Sequence, residues 1–142
     1  MILKGRAIFE GRAEGISLVS VLPMSFYGGV DPRTGKVVER GSDLFGRCLK
    51  DRVLVFPSGK GSTVGSYVLY RLKRDGLAPS AIINSKCETI VAVGAIISEI
   101  PCVDTVEISK IRTGSRVSVR GDEIEVAEEG TSVAPNGRSM SP

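Results

Sequence analysis

A mixed α/β domain, with a barrel-like β layer and helices packed on one side, is the fold class that this sequence predicts. Three observations point there: β-rich runs at both ends of the chain, a short all-apolar run at 53–56, and helix-period spacing soon after it. Strands come first, one strand–helix–strand crossover fills the middle, and strands return at the end. At 142 residues the chain holds one buried core and little more. The expected domain runs over 1–129, and the tail 130–142, which lacks a core pattern, is expected to be disordered.

The first two strands are "ILKGRAIF" and "GISLVSVL", separated by a turn containing glycine and charge. A stretch dense in Gly, Pro, Asp and Ser follows, "PMSFYGGVDPRTGKVVERGSDLFGR", which predicts a long loop with a short strand at Lys36–Glu39. Loops of that length inside a compact domain are usually functional or form an interface. "DRVLVF" has the unbroken apolarity of a strand buried on both faces. After a turn at 57–61, Val64, Val68 and Leu72 mark the apolar stripe of a helix that Gly76 stops. "PSAIIN" restarts a buried strand, so 53–84 is a crossover unit with parallel strands. The length and acidic start of "CETIVAVGAIISEI" favour a short helix ended by Pro101. "VDTVEI" is then a strand, and "SRVSV" with "EIEVAE" forms a hairpin through Arg120-Gly121-Asp122.

Composition excludes several classes of function. The 19 basic and 16 acidic residues leave a net charge of +3, too mild for a nucleic-acid binder, which needs a concentrated basic face. The sequence contains no run of about 18 apolar residues to span a membrane. Its start, "MILKGRAIFEGR", is not a signal peptide, so a cytoplasmic location is expected. The chain has no histidine, which removes the usual general base. Cys48, Cys87 and Cys102 are odd in number, widely spaced and free of any CxxC pair. Buried or half-buried thiols are expected there, and no metal site.

The stretch "VFPSGKGSTVGSYVLYRLKRDG" carries the chemistry. A nucleotide P-loop needs Gly-Lys followed directly by Ser or Thr, and here the order is Lys60-Gly61-Ser62, so that register fails. Two readings remain. A glycine turn entering a helix presents free N–H groups and partial positive charge to an anion, and Lys60 adds a full charge. Alternatively, Ser62 or Thr63 simply caps the helix while the glycines permit positive φ. Gly28, Gly29 and Asp31 line the cleft or only make a turn. Asn84 and Lys86 leave the crossover at the edge that faces the Ser62 loop, or are solvated loop residues.

The run "SFYGGVDPRTGKVVERGSDLFGRCLKDRVLVFPSGKGSTVGSYVLYRLKRDGLAPSAIIN", continued by "GAIISEIPCVD", resembles the signature region of the aconitase X swivel-domain family. The likeness covers roughly 4–126, and "GGVDPRTG" and "PSGKGSTVGS" are its distinctive motifs. The resemblance implies a swivelling β/β/α domain, here as a free-standing small subunit. A separate large subunit, the expected partner, is implied to hold a 4Fe-4S cluster and most of the substrate pocket. The implied reaction is loss of water from (R)-5-phosphomevalonate, a small anionic phosphorylated substrate, to give trans-anhydromevalonate 5-phosphate for isoprenoid synthesis. Within the family the serine after the "GKG" turn is the proton acceptor, and here that is Ser62. Lys60, Gly61, Thr63, Gly29, Asp31 and Asn84 are the substrate-binding candidates. Three alternatives stay open: a cis-3-hydroxy-L-proline dehydratase subunit, the small subunit of an isopropylmalate-type isomerase, and a plain binding module in which Ser62 is only a cap.

Chemistry limits what a serine base does unaided. Water sits at a pKa of about 15.7, and an alkoxide is of similar basicity. Lowering it by about six units takes roughly 8 kcal/mol. A helix N-terminus supplies at most about 2 kcal/mol. The remainder must come from a closed site of low dielectric constant, so the chain alone is expected to be inactive.

Overall fold

Alternation along the strands sorts side chains between two cores, and one glycine closes the sheet between them. The computed structural model describes residues 1–127, 132–133 and 139–140. Its strands are β1 (Ile2–Lys4), β2 (Arg6–Phe9), β3 (Arg12–Val19), β4 (Met24–Ser25), β5 (Val53–Phe56), β6 (Gly59–Lys60), β7 (Ala81–Asn84), β8 (Cys102–Asp104), β9 (Arg116–Arg120), β10 (Glu123–Val126), β11 (Ser132–Val133) and β12 (Ser139–Met140). Helix α1 (Gly65–Arg74) lies between β6 and β7, and α2 (Thr89–Ser98) between β7 and β8.

Eight strands form one sheet in the order β1-β10-β9-β3-β5-β7-β8-β2. Its two outermost members, β1 and β2, are consecutive pieces of one chain run that meet at Gly5. The run pairs with β10 before Gly5 and with β8 after it, both antiparallel, so the sheet curls round on itself. A side chain does not fit at the changeover, because a Cβ on Gly5 would lie 2.3 Å from the Asp104 carbonyl oxygen. The single strand expected at "ILKGRAIF" is therefore two, each with its own partner.

The centre is parallel, as the crossover pattern predicts: β3 with β5, β5 with β7 and β7 with β8. Within β5 and β7, Val53, Val55, Ala81 and Ile83 face the barrel interior with Val103, Val117, Val119 and Ile124. Their neighbours Leu54, Phe56 and Ile82 face outward and pack under α1 and α2 through Leu69, Leu72, Val91 and Ala95. Both faces of these strands are thus buried, which is why their sequences are unbroken apolar runs. The two helices approach closely at Gly94, where a Cβ would meet Leu69 Cδ1 at 2.6 Å.

Several expectations need adjustment. Segment 24–49 is no idle loop, since Met24, Phe26, Val30, Val37, Leu44 and Leu49 enter the helix-side core. In place of a strand at Lys36–Glu39 it holds two isolated bridges, Val30 with Val37 and Lys36 with Cys48. The turn at 57–61 contains a strand, β6, which pairs in parallel with β4. Val64 precedes α1 and is exposed, so the buried stripe of the helix is Val68, Leu69 and Leu72. The strand at "VDTVEI" stops at Asp104, because Thr105 adopts a φ of +59° and turns Val106 inward. Gly76, at φ +74°, ends α1 as expected. The tail expected to be disordered at 130–142 lies outside the described residues except for the paired strands β11 and β12. No helix among the described residues is long and apolar enough to cross a membrane.

Candidate active site

Parallel pairing of β4 with β6 sets Met24 opposite Gly59 and Ser25 opposite Lys60. The Met24 N–H donates to the Ser58 carbonyl at 3.0 Å, which fixes the start of the glycine loop. Gly61 follows at φ +91°, a conformation that side chains disfavour, and a Cβ there would lie 2.7 Å from Ser25 Oγ. The loop is therefore held by backbone geometry against a neighbouring strand.

Ser62 is exposed at the point where the loop becomes helical. Its carbonyl accepts from Gly65 N–H at 2.9 Å, and its Oγ accepts from Val64 N–H at 3.2 Å. A tight turn thus begins at Ser62 and runs into α1, with the hydroxyl oxygen closing the turn two residues on, at the Val64 N–H. The N-cap position of α1 itself is Val64, which makes no side-chain cap, so Ser62 and Thr63 shape the turn ahead of the helix and do not cap it. Thr63 is exposed and contributes its carbonyl, which accepts from the buried Ser66 Oγ at 2.9 Å.

Lys60 does not point freely at solvent. Its Nζ pairs with Glu39 Oε1 at 3.0 Å, with both side chains partly exposed. Glu39 is in turn positioned by Gly29, whose carbonyl accepts from the Val38 and Glu39 N–H groups at 2.9 and 3.3 Å. Gly29 packs so tightly that a Cβ would meet the Ser25 carbonyl at 2.1 Å. The structure thus brings Gly29, Lys60, Gly61, Ser62 and Thr63 together through two residues that sequence reasoning missed, Ser25 and Glu39. Both lie in the signature run but outside its two distinctive motifs, and the β4–β6 pairing and the folded-back 24–49 segment reveal their place.

Asp31 and Asn84 have different surroundings. Asp31 organises its own turn, accepting from Arg33 N–H at 2.9 Å and from the Arg33 guanidinium at 3.3 Å. Those hydrogen bonds hold its carboxyl below the usual pKa. It borders a groove of about 590 Å³, lined also by Tyr27, Val64, Tyr67 and Arg71. The groove is mainly apolar and opens two residues beyond Ser62. Asn84 is wholly buried at the end of β7, where its Nδ2 donates to the Phe56 and Ile83 carbonyls at 3.0 and 3.2 Å. From that position it fixes the chain leading into Pro57 and the loop. Lys86 is exposed, and its backbone N–H donates to the Pro57 carbonyl.

The cysteines depart from expectation in one respect. Cys87 and Cys102 lie with their sulfurs 4.0 Å apart, whereas the Cys48 thiol contacts the Thr34 carbonyl. Spacing alone brought none of them together, but α2 returns the chain so that its two flanks meet. Among the described residues, no three His, Cys, Asp or Glu side chains converge on a point that would hold a metal.

Known proteins extend these observations. Residues 2–127 match the family model for the aconitase X swivel domain. A phosphomevalonate dehydratase small subunit of Thermococcus sibiricus is 55% identical, with 91% of this chain and 99% of that protein covered. The protein of the same name from Methanosarcina acetivorans is 59% identical over 85% of this chain and 86% of its own. A crystal structure of Thermococcus kodakaraensis aconitase X in its holo form superposes with a TM-score of 0.88 at 55% identity, covering 90% of this chain and 99% of that one.

Proposed function

The chain belongs to the aconitase X swivel-domain family, and from that membership we propose that it is the small subunit of a two-subunit hydro-lyase, dehydrating (R)-5-phosphomevalonate to trans-anhydromevalonate 5-phosphate. The observation that carries the reading is the placement of Ser62. Its hydroxyl is exposed on a loop braced by Ser25 and Gly29, at the mouth of a helix. The functional unit is 1–129, and its relatives' description as small subunits implies a large subunit.

In this reading Ser62 takes the proton from the carbon beside the substrate carboxylate. Stabilising the developing oxyanion requires roughly 8 kcal/mol for about six pKa units. The Val64 N–H, already aimed at Oγ, supplies about 1.5–3 kcal/mol once that oxygen is charged. The helix N-terminus adds at most about 2 kcal/mol. Lys60 lends little while it pairs with Glu39 in water, where unit charges at 4 Å interact by only about 1 kcal/mol. At least about 2–3 kcal/mol is missing, and a large subunit covering the exposed face supplies it by excluding water. The same closure makes Lys60 and the loop amides effective toward an anionic substrate. A cluster held by that large subunit, and not by this chain, would serve as the Lewis acid for the leaving hydroxyl.

Co-expression with the large subunit tests the proposal. The complex should dehydrate (R)-5-phosphomevalonate and the isolated chain should not. Preference for cis-3-hydroxy-L-proline would overturn the substrate assignment. Normal assembly without turnover of either compound would make the chain a binding module whose serine only shapes the turn before α1.

A further inference from the structure

The proposed reaction leaves a pair of nucleophilic side chains unused. Cys87 lies in the connection between β7 and α2, next to Glu88, whose Oε1 caps α2 through the Val91 N–H. Cys102 opens β8 beyond that helix. Their sulfurs are 4.0 Å apart, with Cys87 half-buried and Cys102 buried. A disulfide needs about 2.05 Å, so closure asks the two sulfurs to approach by about 2 Å.

The neighbourhood holds the two cysteines in register. The Cys87 N–H donates to Asp104 Oδ2 at 3.0 Å, which ties its backbone to the strand that carries Cys102. Asp104 is buried and itself gripped by Arg6, whose Nε and Nη2 donate at 3.0 and 2.9 Å. Thr105 Oγ1 adds a further donor at 3.1 Å. With its carboxylate so engaged, Asp104 is not available as a third metal ligand. The two thiols also differ in character. Hydrogen bonding from Cys102 holds the Cys87 thiol below its usual pKa, and the same contact, with burial, pushes Cys102 up. The more accessible sulfur is thus the better nucleophile, and the buried one is placed to resolve it.

We propose that Cys87 and Cys102 form a peroxide-responsive thiol pair that closes to an intramolecular disulfide. The Cys87 thiolate attacks one oxygen of a hydroperoxide. An S–O bond forms, the O–O bond breaks, and hydroxide or alkoxide leaves to take up a proton. The Cys87 sulfenic acid is then attacked by the Cys102 sulfur. The S–S bond forms, the S–O bond breaks, and the departing hydroxyl leaves as water with the Cys102 proton. Two thiols are oxidised and one peroxide is reduced, with no other reactant required. The product clamps the entry of α2 to β8. Cys48 is held in another loop by the Thr34 carbonyl and serves as an internal control.

The test treats the purified full chain with one equivalent of hydrogen peroxide in the absence of other oxidants. Titratable thiols should fall from three to one, the intact mass should drop by two hydrogens, and peptide mapping should find Cys87 joined to Cys102. Dithiothreitol should restore all three thiols. In Cys102→Ser, which keeps a hydrogen-bond donor beside Cys87 but has no thiol to resolve it, Cys87 should stop at the sulfenic acid and be captured by dimedone. Three free thiols after treatment would overturn the proposal. So would a disulfide containing Cys48, a disulfide between two copies of the chain, or wild-type Cys87 oxidised to sulfinic acid without a bridge.

Discussion

Gly61→Ala probes the loop without touching the hydroxyl that it displays. The residue sits at φ +91°, where a side chain costs about 1–3 kcal/mol. The new Cβ would also lie 2.7 Å from Ser25 Oγ, while the Ser25 Cβ at 3.5 Å is ordinary contact. Ser25 can yield by rotating, but it then gives up its hydrogen bond to the Tyr27 carbonyl, worth about 1 kcal/mol. The total is about 2–4 kcal/mol, read from urea unfolding of the isolated chain. Ser25→Ala alone should cost about 1 kcal/mol by losing that bond. The double variant should cost no more than Gly61→Ala, falling short of additivity by about 1 kcal/mol, because one hydrogen bond cannot be lost twice. In the complex, displacement of Ser62 should lower turnover about 100-fold. A Gly61→Ala chain within about 0.5 kcal/mol of the parent, or a strictly additive cycle, would refute this account of the loop.

Lys60→Met should change stability by less than about 1 kcal/mol, since the pair with Glu39 is partly exposed, but should raise KM for the phosphorylated substrate in the complex; an unchanged KM would remove Lys60 from the binding site. Asp104→Asn should destabilise the chain by about 1–3 kcal/mol at neutral pH, because it swaps an acceptor for a donor beside the Cys87 N–H and Arg6. Burial opposes ionisation of Asp104, yet the Arg6 and Cys87 hydrogen bonds outweigh it and hold the pKa below the ordinary value. Stability from this group is therefore complete above the unfolded pKa of about 3.9 and is lost as pH falls through the lower folded value. The gap between parent and variant, followed by unfolding at several pH values, should narrow only below about pH 4; a gap that is constant down to pH 2 would contradict the assignment.

What could be read in the sequence follows from which contacts are local. The runs at β5 and β7 announce themselves because both their faces are buried, and the α1 crossover follows from helix periodicity between them. The split at Gly5 is invisible, since alternation continues through it and only the distant partners β10 and β8 decide where one strand ends. Val64 has the right spacing for the helix stripe, but the tight turn begun at Ser62 rotates it toward the groove. The position of Ser62, exposed on the turn that leads into α1, was legible through the glycine turn and the helix periodicity after it. Glu39 and Ser25 were not, because their link to the loop runs through a long irregular segment that has no period to follow. The same holds for the meeting of Cys87 and Cys102, which depends on how α2 folds back.

The most direct test of Ser62 as proton acceptor compares Ser62→Ala with Ser62→Asn in the assembled complex. Both remove the hydroxyl, but asparagine keeps a side-chain acceptor for the Val64 N–H and so preserves the turn that leads into α1. Alanine should cost about 0.5–1 kcal/mol of stability by losing that one turn hydrogen bond, and asparagine close to none. Both variants should assemble normally and both should lose about 10³-fold or more in turnover. Recovery of near-normal dehydration in Ser62→Asn would show that the serine only shapes the turn before α1, and the proposed chemistry would fall with it.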